Sequence, residues 1–153
     1  MYALSAAFEV NPPGSAPALS REQLWRGLVL KAEDPLAFVP GMQACRIVER
    51  YADGFLREVV LRDVPMRERI TLTPMVQVHF LRVDTDHSGW ITNVISESDR
   101  GLLLTFTFGL NYPGLAAGSP EERARGKSMA ANYTHAIDTT VAETRKRVLA
   151  GSI

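Results

Sequence analysis

The sequence has little that would place the protein in an oxidising compartment, on nucleic acid or in a membrane. Its single cysteine, Cys45, cannot form an internal disulfide, so we expect a cytoplasmic protein. Lysine and arginine total 17, as do aspartate and glutamate, and this balance argues against a nucleic-acid partner or an anionic membrane surface. The uncharged stretch 102–117 contains glycine and proline and is too short to span a bilayer, and the N-terminus lacks the pattern of a signal peptide.

Histidine is also scarce, which limits the metal sites that the chain can build. The three histidines, His79, His87 and His135, form no HxxxH pair. We expect His87 in a polar turn and His135 on the polar side of a helix, both exposed and neither binding a metal. His79 alternates with Val78 and Phe80 on a strand, so it faces outward if those two face inward. No glycine spacing fits a nucleotide-binding loop, and the sequence therefore predicts neither a metal nor a cofactor.

The most prominent feature that is present is a long predicted helix, Ser119 to Ala150. Ser119 is a suitable N-cap, Pro120 fits the first helical position, and Glu122 lies in the first turn, where the helix dipole favours an acidic group. No further proline follows, and Gly151 is a plausible end. About 30 residues at about 1.5 Å each give a rod of roughly 45 Å, which would lie across the whole body of the protein.

One side of this predicted helix is apolar and built from small or flexible residues. At about 100° per residue, the broad face contains Gly126, Met129, Ala130, Tyr133, Ala136, Ile137, Thr140, Val141, Thr144 and Val148. In one interpretation this is a core face packed on a sheet, and in the other it leaves room for a ligand. We expect both, with tight packing at one end and a space at the other.

The rest of the chain predicts one strand, two short helices and six further strands. Tyr2–Val10 is the first strand, Ser20 and Gln23 form a capping box, and Asp34-Pro35 starts a second short helix through Phe38. The remaining strands have hairpin-length connections and are therefore antiparallel: Cys45–Tyr51, Phe55–Leu61, Arg67–Leu72, Val76–Val83, Trp90–Ser96 and Leu102–Leu110. Seven twisted strands curl, so we predict one α+β domain over residues 1–153, with a curved sheet around the C-terminal helix.

This order of elements resembles the helix-grip fold of START lipid-transfer domains, birch-pollen-allergen proteins and aromatic polyketide cyclases, the SRPBCC superfamily. Four stretches resemble its AtaL-like family more narrowly: LWRGL at 24–28, FVPG at 38–41, VERY at 48–51 with FLRE at 55–58, and LLTFTF at 103–108. The resemblance covers nearly the whole chain, but its motifs belong to the framework and contain no catalytic signature. It implies the helix-grip fold and, as function, only a ligand pocket.

Charged residues within the predicted strands are the best polar candidates for a site. Glu49, Arg57, Glu58 and Glu68 each alternate with apolar neighbours. One interpretation is that they form ion pairs on the solvent face, each worth less than about 1 kcal/mol. The other is that one pair points inward and orients a polar ligand head; we choose Arg57 with Glu68, because buried charges need partners.

We predict a pocket between the first half of the long helix and the end of the sheet that carries Phe106 and Phe108. On the helix, Met129 is adaptable, Tyr133 offers a phenol, and Ile137 adds apolar surface. Three loop residues are expected near the mouth of the pocket: Phe38, Val39 and Tyr112. The alternative is that these aromatic residues simply fill the core.

Three functions remain open at this point. The first is binding of a small apolar or aromatic molecule, by a protein that is a monomer or a homodimer. The second is a polyketide cyclase or dehydratase that uses the same cavity, since such an enzyme can act by shaping its substrate and needs no catalytic triad. The third is a partner-binding module with a filled core. An empty apolar cavity favours the first, a polar cavity with a perturbed acid or base favours the second, and an exposed apolar patch favours the third.

Overall fold

A computed structural model describes residues 1–84 and 88–153. Its strands are β1 (Tyr2–Glu9), β2 (Met42–Tyr51), β3 (Gly54–Leu61), β4 (Val64–Thr73), β5 (Gln77–Arg82), β6 (Gly89–Ser98) and β7 (Gly101–Leu110). Its helices are α1 (Arg21–Glu33), α2 (Pro120–Ser128) and α3 (Ala130–Leu149). The strands form one antiparallel sheet in the order β1-β7-β6-β5-β4-β3-β2, so the first strand joins the same sheet through β7. The predicted α+β helix-grip fold is confirmed, and no helix in the described residues is long and apolar enough to cross a membrane.

Alternation along the strands divides the sheet into an inner face, which packs on the helices, and an outer face. Val78 and Phe80 of β5 are almost fully buried in the main core, together with Ile70 of β4 and Phe55 of β3. Register partners across the sheet, such as Ile70 with Phe80, lie on the same face. Every second residue of these strands therefore points towards α1 and α3, and this inner face is where a site between sheet and helices would lie.

The prediction of two short helices after β1 is wrong, because only α1 forms. Its capping box is present as expected, with Ser20 Oγ accepting from the Gln23 N–H at 3.2 Å and Gln23 Oε1 accepting from the Ser20 N–H at 2.9 Å. After it, Pro35 O accepts from the N–H groups of Phe38 and Val39, which makes a single turn. The segment between Asp34 and Pro40-Gly41 is too short to extend this turn into a helix. A helix needs several hydrogen bonds to offset the entropic cost of forming its first turn.

The C-terminal helix is long, as predicted, but it is broken at Met129 into α2 and α3. The Met129 N–H donates to Gly126 O, three residues back, at 3.1 Å. Ser128 Oγ donates to Arg125 O at 2.7 Å, a local bond that competes with the helical ladder. Gly126 also brings the backbone against the Tyr2 ring, where an added Cβ would lie 2.0 Å from Tyr2 Cδ1. A glycine and a serine close together are a common cause of helix kinks, and both were visible in the sequence.

Helices α1 and α3 cross at Gly27, which is buried directly under Thr144. A Cβ at Gly27 would lie 2.2 Å from Thr144 Oγ1 and 2.7 Å from Thr144 Cγ2. Thr144 is fixed in turn, because its hydroxyl donates to Thr140 O at 2.7 Å. The close approach of the two helices over the sheet therefore depends on the missing side chain at Gly27.

Gly27→Ala should lower the free energy of unfolding by about 1–3 kcal/mol, the usual cost of overpacking, although alanine favours helix more than glycine. Urea unfolding of the variant measures this cost. In a Thr144→Ala background the same change should cost less, because the two closest atoms, Oγ1 and Cγ2, are gone and only Cβ, at 3.0 Å, remains. Equal costs in the two backgrounds would contradict this packing account.

Candidate functional site

Three charged side chains lie side by side on the inner face. Arg57 of β3 is the register partner of Glu68 of β4, and Glu68 is the register partner of Arg82 of β5. The neighbouring row on the same face is apolar and contains Phe55, Ile70 and Phe80. Buried charges in this setting must be compensated by one another, because water is largely excluded from the inner face.

Arg57 and Glu68 form a buried ion pair. They are 3% and 4% exposed, and Glu68 Oε2 accepts from Arg57 Nη2 at 2.6 Å and from Arg57 Nε at 2.9 Å. Arg57 Nη1 donates to Ala32 O at 2.6 Å, which satisfies a carbonyl at the end of α1. The sequence left open whether such a pair lies outside or inside; Glu58 pairs with Arg46 on the exposed outer face, whereas Arg57 and Glu68 meet inside.

Lys31 of α1 is the residue that the sequence analysis missed. It is 6% exposed, its Nζ donates to Asn93 Oδ1 at 2.7 Å, and Nζ lies 4.1 Å from the centroid of the Phe106 ring. The pKa of Lys31 is lowered to about 7, first by burial and then by the positive charge of Arg57, while the negative charge of Glu68 acts in the opposite direction. The signal was available, because Lys31 follows Leu24 and Leu28 at helical spacing on the buried side of α1.

We call Lys31, Arg57, Glu68, Arg82 and Asn93 the polar cluster. Asn93 of β6 is fully buried and faces inward, because it lies two residues from Ile91 and two from Ile95 and therefore shares their face of the strand. Arg82 is only loosely paired, with its Nε 3.9 Å from Glu68 Oε1. The cluster thus contains three basic side chains and one acidic side chain within an apolar core.

Three buried donors at or near the cluster have no hydrogen-bond partner among the described residues. They are Arg82 Nε, Asn93 Nδ2 and the Tyr112 hydroxyl. Burial raises the pKa of Tyr112, and the positive charges of Arg125 and Arg82 work against that rise. An unpaired buried donor costs about 1–3 kcal/mol, so three together call for an explanation.

On the helix side, two of the predicted site residues stack on each other. The Tyr133 ring of α3 lies over the Phe108 ring of β7, with centroids 3.5 Å apart and planes at 25°. Burial raises the pKa of Tyr133 to about 12, against the positive charge of Arg82, so the phenol stays protonated and remains a donor. Two residues close in sequence to this pair, Phe106 on β7 and Ile137 on α3, are buried in the main core. Met129 lies half-buried at the helix break.

Phe38 and Val39 are not brought to Tyr133. The Phe38 ring is buried under Arg147, whose Cζ lies 5.1 Å from the ring centroid. Arg147 is about 21 Å along the helix from Tyr133 at about 1.5 Å per residue, so Phe38 lies beside the C-terminal half of α3. Val39 is half-buried in the turn that follows α1. A ligand role for these two residues stays a prediction, as it does for the other predicted site residues.

A cleft of about 830 Å³ lies elsewhere, against β2, β3 and β4. Its charged lining residues are Arg46, Glu58, Arg67 and Asp84, and the first three are register partners on the outer face. Glu58 is already paired with Arg46 at 2.6 Å and lies 3.8 Å from Arg67. The inner polar cluster is the stronger candidate site, since its donors are buried and unpaired whereas these charges are exposed and paired.

The histidines lie away from the cluster. His79 is on the outer face, where its Nδ1 lies 2.9 Å from Thr92 Oγ1, and burial lowers its pKa. His135 is exposed on α3, and His87 lies outside the described residues. Within residues 1–84 and 88–153, no three His, Cys, Asp or Glu side chains come together in a way that would hold a metal ion.

Comparisons with known proteins agree with the fold. A sequence profile of the family described as "Acetylaranotin biosynthesis cluster protein L" (AtaL) matches residues 4–151. A search of curated proteins returned no match.

Among solved structures, the chain is similar to the di-domain ARO/CYC StfQ from the steffimycin biosynthetic pathway, with a TM-score of 0.71 and 11% identity over 95% of this chain. It spans 52% of StfQ, about half its length. It is also similar to the Zhui aromatase/cyclase from Streptomyces sp. R1128, with a TM-score of 0.66 and 17% identity over 99% of this chain and 98% of that one. A START superfamily protein from Mycobacterium smegmatis gives a TM-score of 0.66 and 14% identity over 92% and 97% of the two chains. At these identities the likeness shows the helix-grip fold.

Proposed function

We propose that this chain, which belongs to the AtaL family, binds a small molecule with an apolar or aromatic body and a hydrogen-bond-accepting head. The ligand lies between the inner face of the sheet and the first half of α3. The observation that carries this proposal is the set of three buried donors without partners, Arg82 Nε, Asn93 Nδ2 and the Tyr112 hydroxyl. A ligand oxygen would satisfy groups that the described residues leave unpaired.

The body of the ligand is inferred from the apolar surface around these donors. Phe106 and Phe80 flank Lys31, and the stacked rings of Phe108 and Tyr133 continue the aromatic surface towards α3. Aromatic rings of this kind favour flat apolar molecules, which stack on them at little entropic cost. An aromatic or polyene body therefore fits the site better than a sugar or a nucleotide.

The head of the ligand is inferred from charge. The polar cluster contains Lys31, Arg57 and Arg82 against the single carboxylate of Glu68, and Arg57 already occupies Glu68 Oε2. The surplus is positive, whatever the protonation state of Lys31. A carboxylate, a phenolate or a polarised carbonyl oxygen compensates such a surplus in an apolar setting, whereas a cationic head would be repelled.

The solved neighbours support a ligand of this class without identifying it. The names of StfQ and Zhui attach them to aromatase/cyclase activity. Such proteins share the helix-grip fold with this chain, so a cavity between sheet and helix is a reasonable expectation here.

Tyr112→Phe should weaken binding of 2-naphthoate, an aromatic carboxylate probe, by about tenfold. A hydrogen bond to a charged acceptor contributes about 1.5–3 kcal/mol, and about 1.4 kcal/mol is a tenfold change in affinity. The same change should leave the stability of the protein without ligand unchanged or slightly higher, because the hydroxyl has no partner to lose among the described residues. Isothermal titration and urea unfolding measure the two effects.

Tyr51→Phe is the matched control, because Tyr51 is an exposed residue whose hydroxyl donates to Glu49 Oε2 at 2.7 Å. It should leave the affinity for 2-naphthoate unchanged. Naphthalene, which lacks the acceptor, should bind wild type and Tyr112→Phe equally. Failure of 2-naphthoate to bind, or equal binding by wild type and Tyr112→Phe, would contradict the proposed head-group site.

A second candidate is cyclase-type catalysis in the same site. The observation that favours it is the buried amine of Lys31, whose pKa is lowered to about 7. A group with a pKa near the working pH is suited to remove and return a proton, whereas Tyr133, whose pKa is raised to about 12, stays protonated and can donate a hydrogen bond to a substrate oxygen. The test is to incubate the protein with a poly-β-ketone and to compare the cyclised products with those that form without protein. An identical product distribution would exclude this activity for that substrate.

A further inference from the structure

Lys31 is a buried primary amine that the binding function alone does not require. It lies at the middle of the inner face rather than at its rim, and its Nζ is held at 2.7 Å from Asn93 Oδ1. Arg57, with its Cζ 5.2 Å from the Phe80 ring, borders the same aromatic surface as Lys31. A lysine that served only to fill space would be replaced at lower free-energy cost by leucine or methionine.

The amide of Asn93 is well suited to serve an amine and a carbonyl group at once. Its Oδ1 accepts from Lys31 Nζ, and its Nδ2 is fully buried without a partner among the described residues. A ligand carbonyl oxygen that accepts from Nδ2 would lie near Lys31 Nζ, because Nδ2 and Oδ1, the atom that holds Nζ, belong to the same planar amide. The same Nδ2 donor would stabilise negative charge that develops on that oxygen during attack.

From this arrangement we infer that Lys31 forms an imine with an aldehyde or ketone carbonyl of an aromatic or otherwise apolar ligand. The inference rests on the proposed binding function and narrows its ligand to carbonyl compounds. In the first step Nζ, as the neutral amine, attacks the carbonyl carbon, a C–N bond forms, and a proton moves from nitrogen to oxygen to give a carbinolamine. In the second step the carbinolamine loses water and the C=N bond forms. The step is redox-neutral and needs no co-reactant.

The surroundings of Lys31 favour the neutral amine that this step needs. Burial lowers its pKa to about 7, and Arg57 acts in the same direction. About half of the molecules then carry a nucleophilic amine at neutral pH, whereas a fully hydrated lysine amine titrates at about 10.4 and is almost wholly protonated. The buried amine is therefore the reactive one despite its lower exposure.

The sequence offers internal controls, because the chain has only two other lysines, Lys127 and Lys146. Both are exposed, on α2 and α3. The experiment treats the full chain with 2-naphthaldehyde and sodium cyanoborohydride at about pH 7, where the reductant converts an imine into a stable secondary amine. Peptide mapping by mass spectrometry then gives the rate of labelling at each lysine and at the N-terminus.

We expect labelling at Lys31 to be about tenfold faster than at either exposed lysine, to stop at one label per chain at early times, and to be slowed by 2-naphthoate. Lys127→Arg should keep the Lys31 adduct. Labelling at Lys127, Lys146 or the N-terminus without labelling at Lys31, while 2-naphthoate still binds, would overturn the imine and leave the binding function standing. If neither 2-naphthoate nor the aldehyde binds, the binding function fails as well.

Discussion

Replacing Lys31 by methionine together with Asn93 by leucine should stabilise the protein at about pH 7, by about 1–4 kcal/mol, although a hydrogen bond is lost. Lys31 is buried among aromatic rings and beside Arg57, and a protonated amine is costly there. Both residues are changed because Lys31 Nζ and Asn93 Oδ1 are each other's partners, and neither should be left unpaired.

The pH dependence of this difference has a definite sign. The pKa of Lys31 falls from 10.5 to about 7 on folding, so between these values the unfolded chain binds more protons than the folded chain. The penalty of the buried charge is complete below about pH 7 and disappears as the pH rises towards 10.5. Wild type therefore gains stability over this range, and the advantage of the double variant shrinks.

Urea unfolding of both proteins at several pH values between about 6 and 10 measures this difference. Arg57 and Glu68 face Lys31 from β3 and β4 and are present in both proteins, so their contributions largely cancel. Lys127→Met, on an exposed face, is the control, and its stability difference from wild type should not change with pH in this way. A stability difference that stays constant with pH would contradict the burial of an ionisable amine at this place.

The second large effect is expected at the buried ion pair. Arg57→Met should cost about 3–5 kcal/mol, because Glu68 stays buried but loses the partner that donates two hydrogen bonds to it, and Arg82, at 3.9 Å, does not replace them. It also removes the donor that binds Ala32 O at the end of α1. Arg57→Met with Glu68→Leu should recover much of the loss, since no charge is then left without its partner.

The control for this prediction is the exposed pair Arg46–Glu58 on the outer face, where the Arg46 side chain is 72% exposed. Arg46→Met should cost less than about 1 kcal/mol. Chemical unfolding of the four proteins gives the comparison directly. Similar small losses for Arg57→Met and Arg46→Met would show that the inner pair is not buried as described.

Much of the fold could be predicted from the sequence because it depends on local patterns. Alternation in the strands, hairpin-length connections and the Ser20–Gln23 capping box are all short-range signals, and the structure contains the elements that they predict. Local patterns also explain the two errors: a second helix was predicted over 34–38, where only a single turn forms, and the break at Met129 was not predicted. A cap and a helical period indicate where a helix can begin, but tertiary contacts such as Tyr2 against Gly126 decide where it is interrupted.

The candidate site was less accessible to sequence reasoning. Alternation made Arg57 and Glu68 a possible inward pair, but only the register of β3 with β4 brings them together. Lys31 was passed over because a lysine on an otherwise apolar helix face is normally assumed to extend to the surface. Its partner Asn93 is 62 residues away in the sequence, so their contact depends on the whole fold.

The central claim is that the polar cluster receives the oxygen-bearing head of an apolar ligand. A crystal structure of the protein with 2-naphthoate tests it most directly. The account predicts a carboxylate oxygen within hydrogen-bonding distance, about 2.7–3.2 Å, of at least two of Arg82 Nε, Asn93 Nδ2 and the Tyr112 hydroxyl, with the rings against Phe108 and Tyr133. A probe found instead in the outer cleft beside Arg46 and Glu58, with the three inner donors still unpaired, would contradict it.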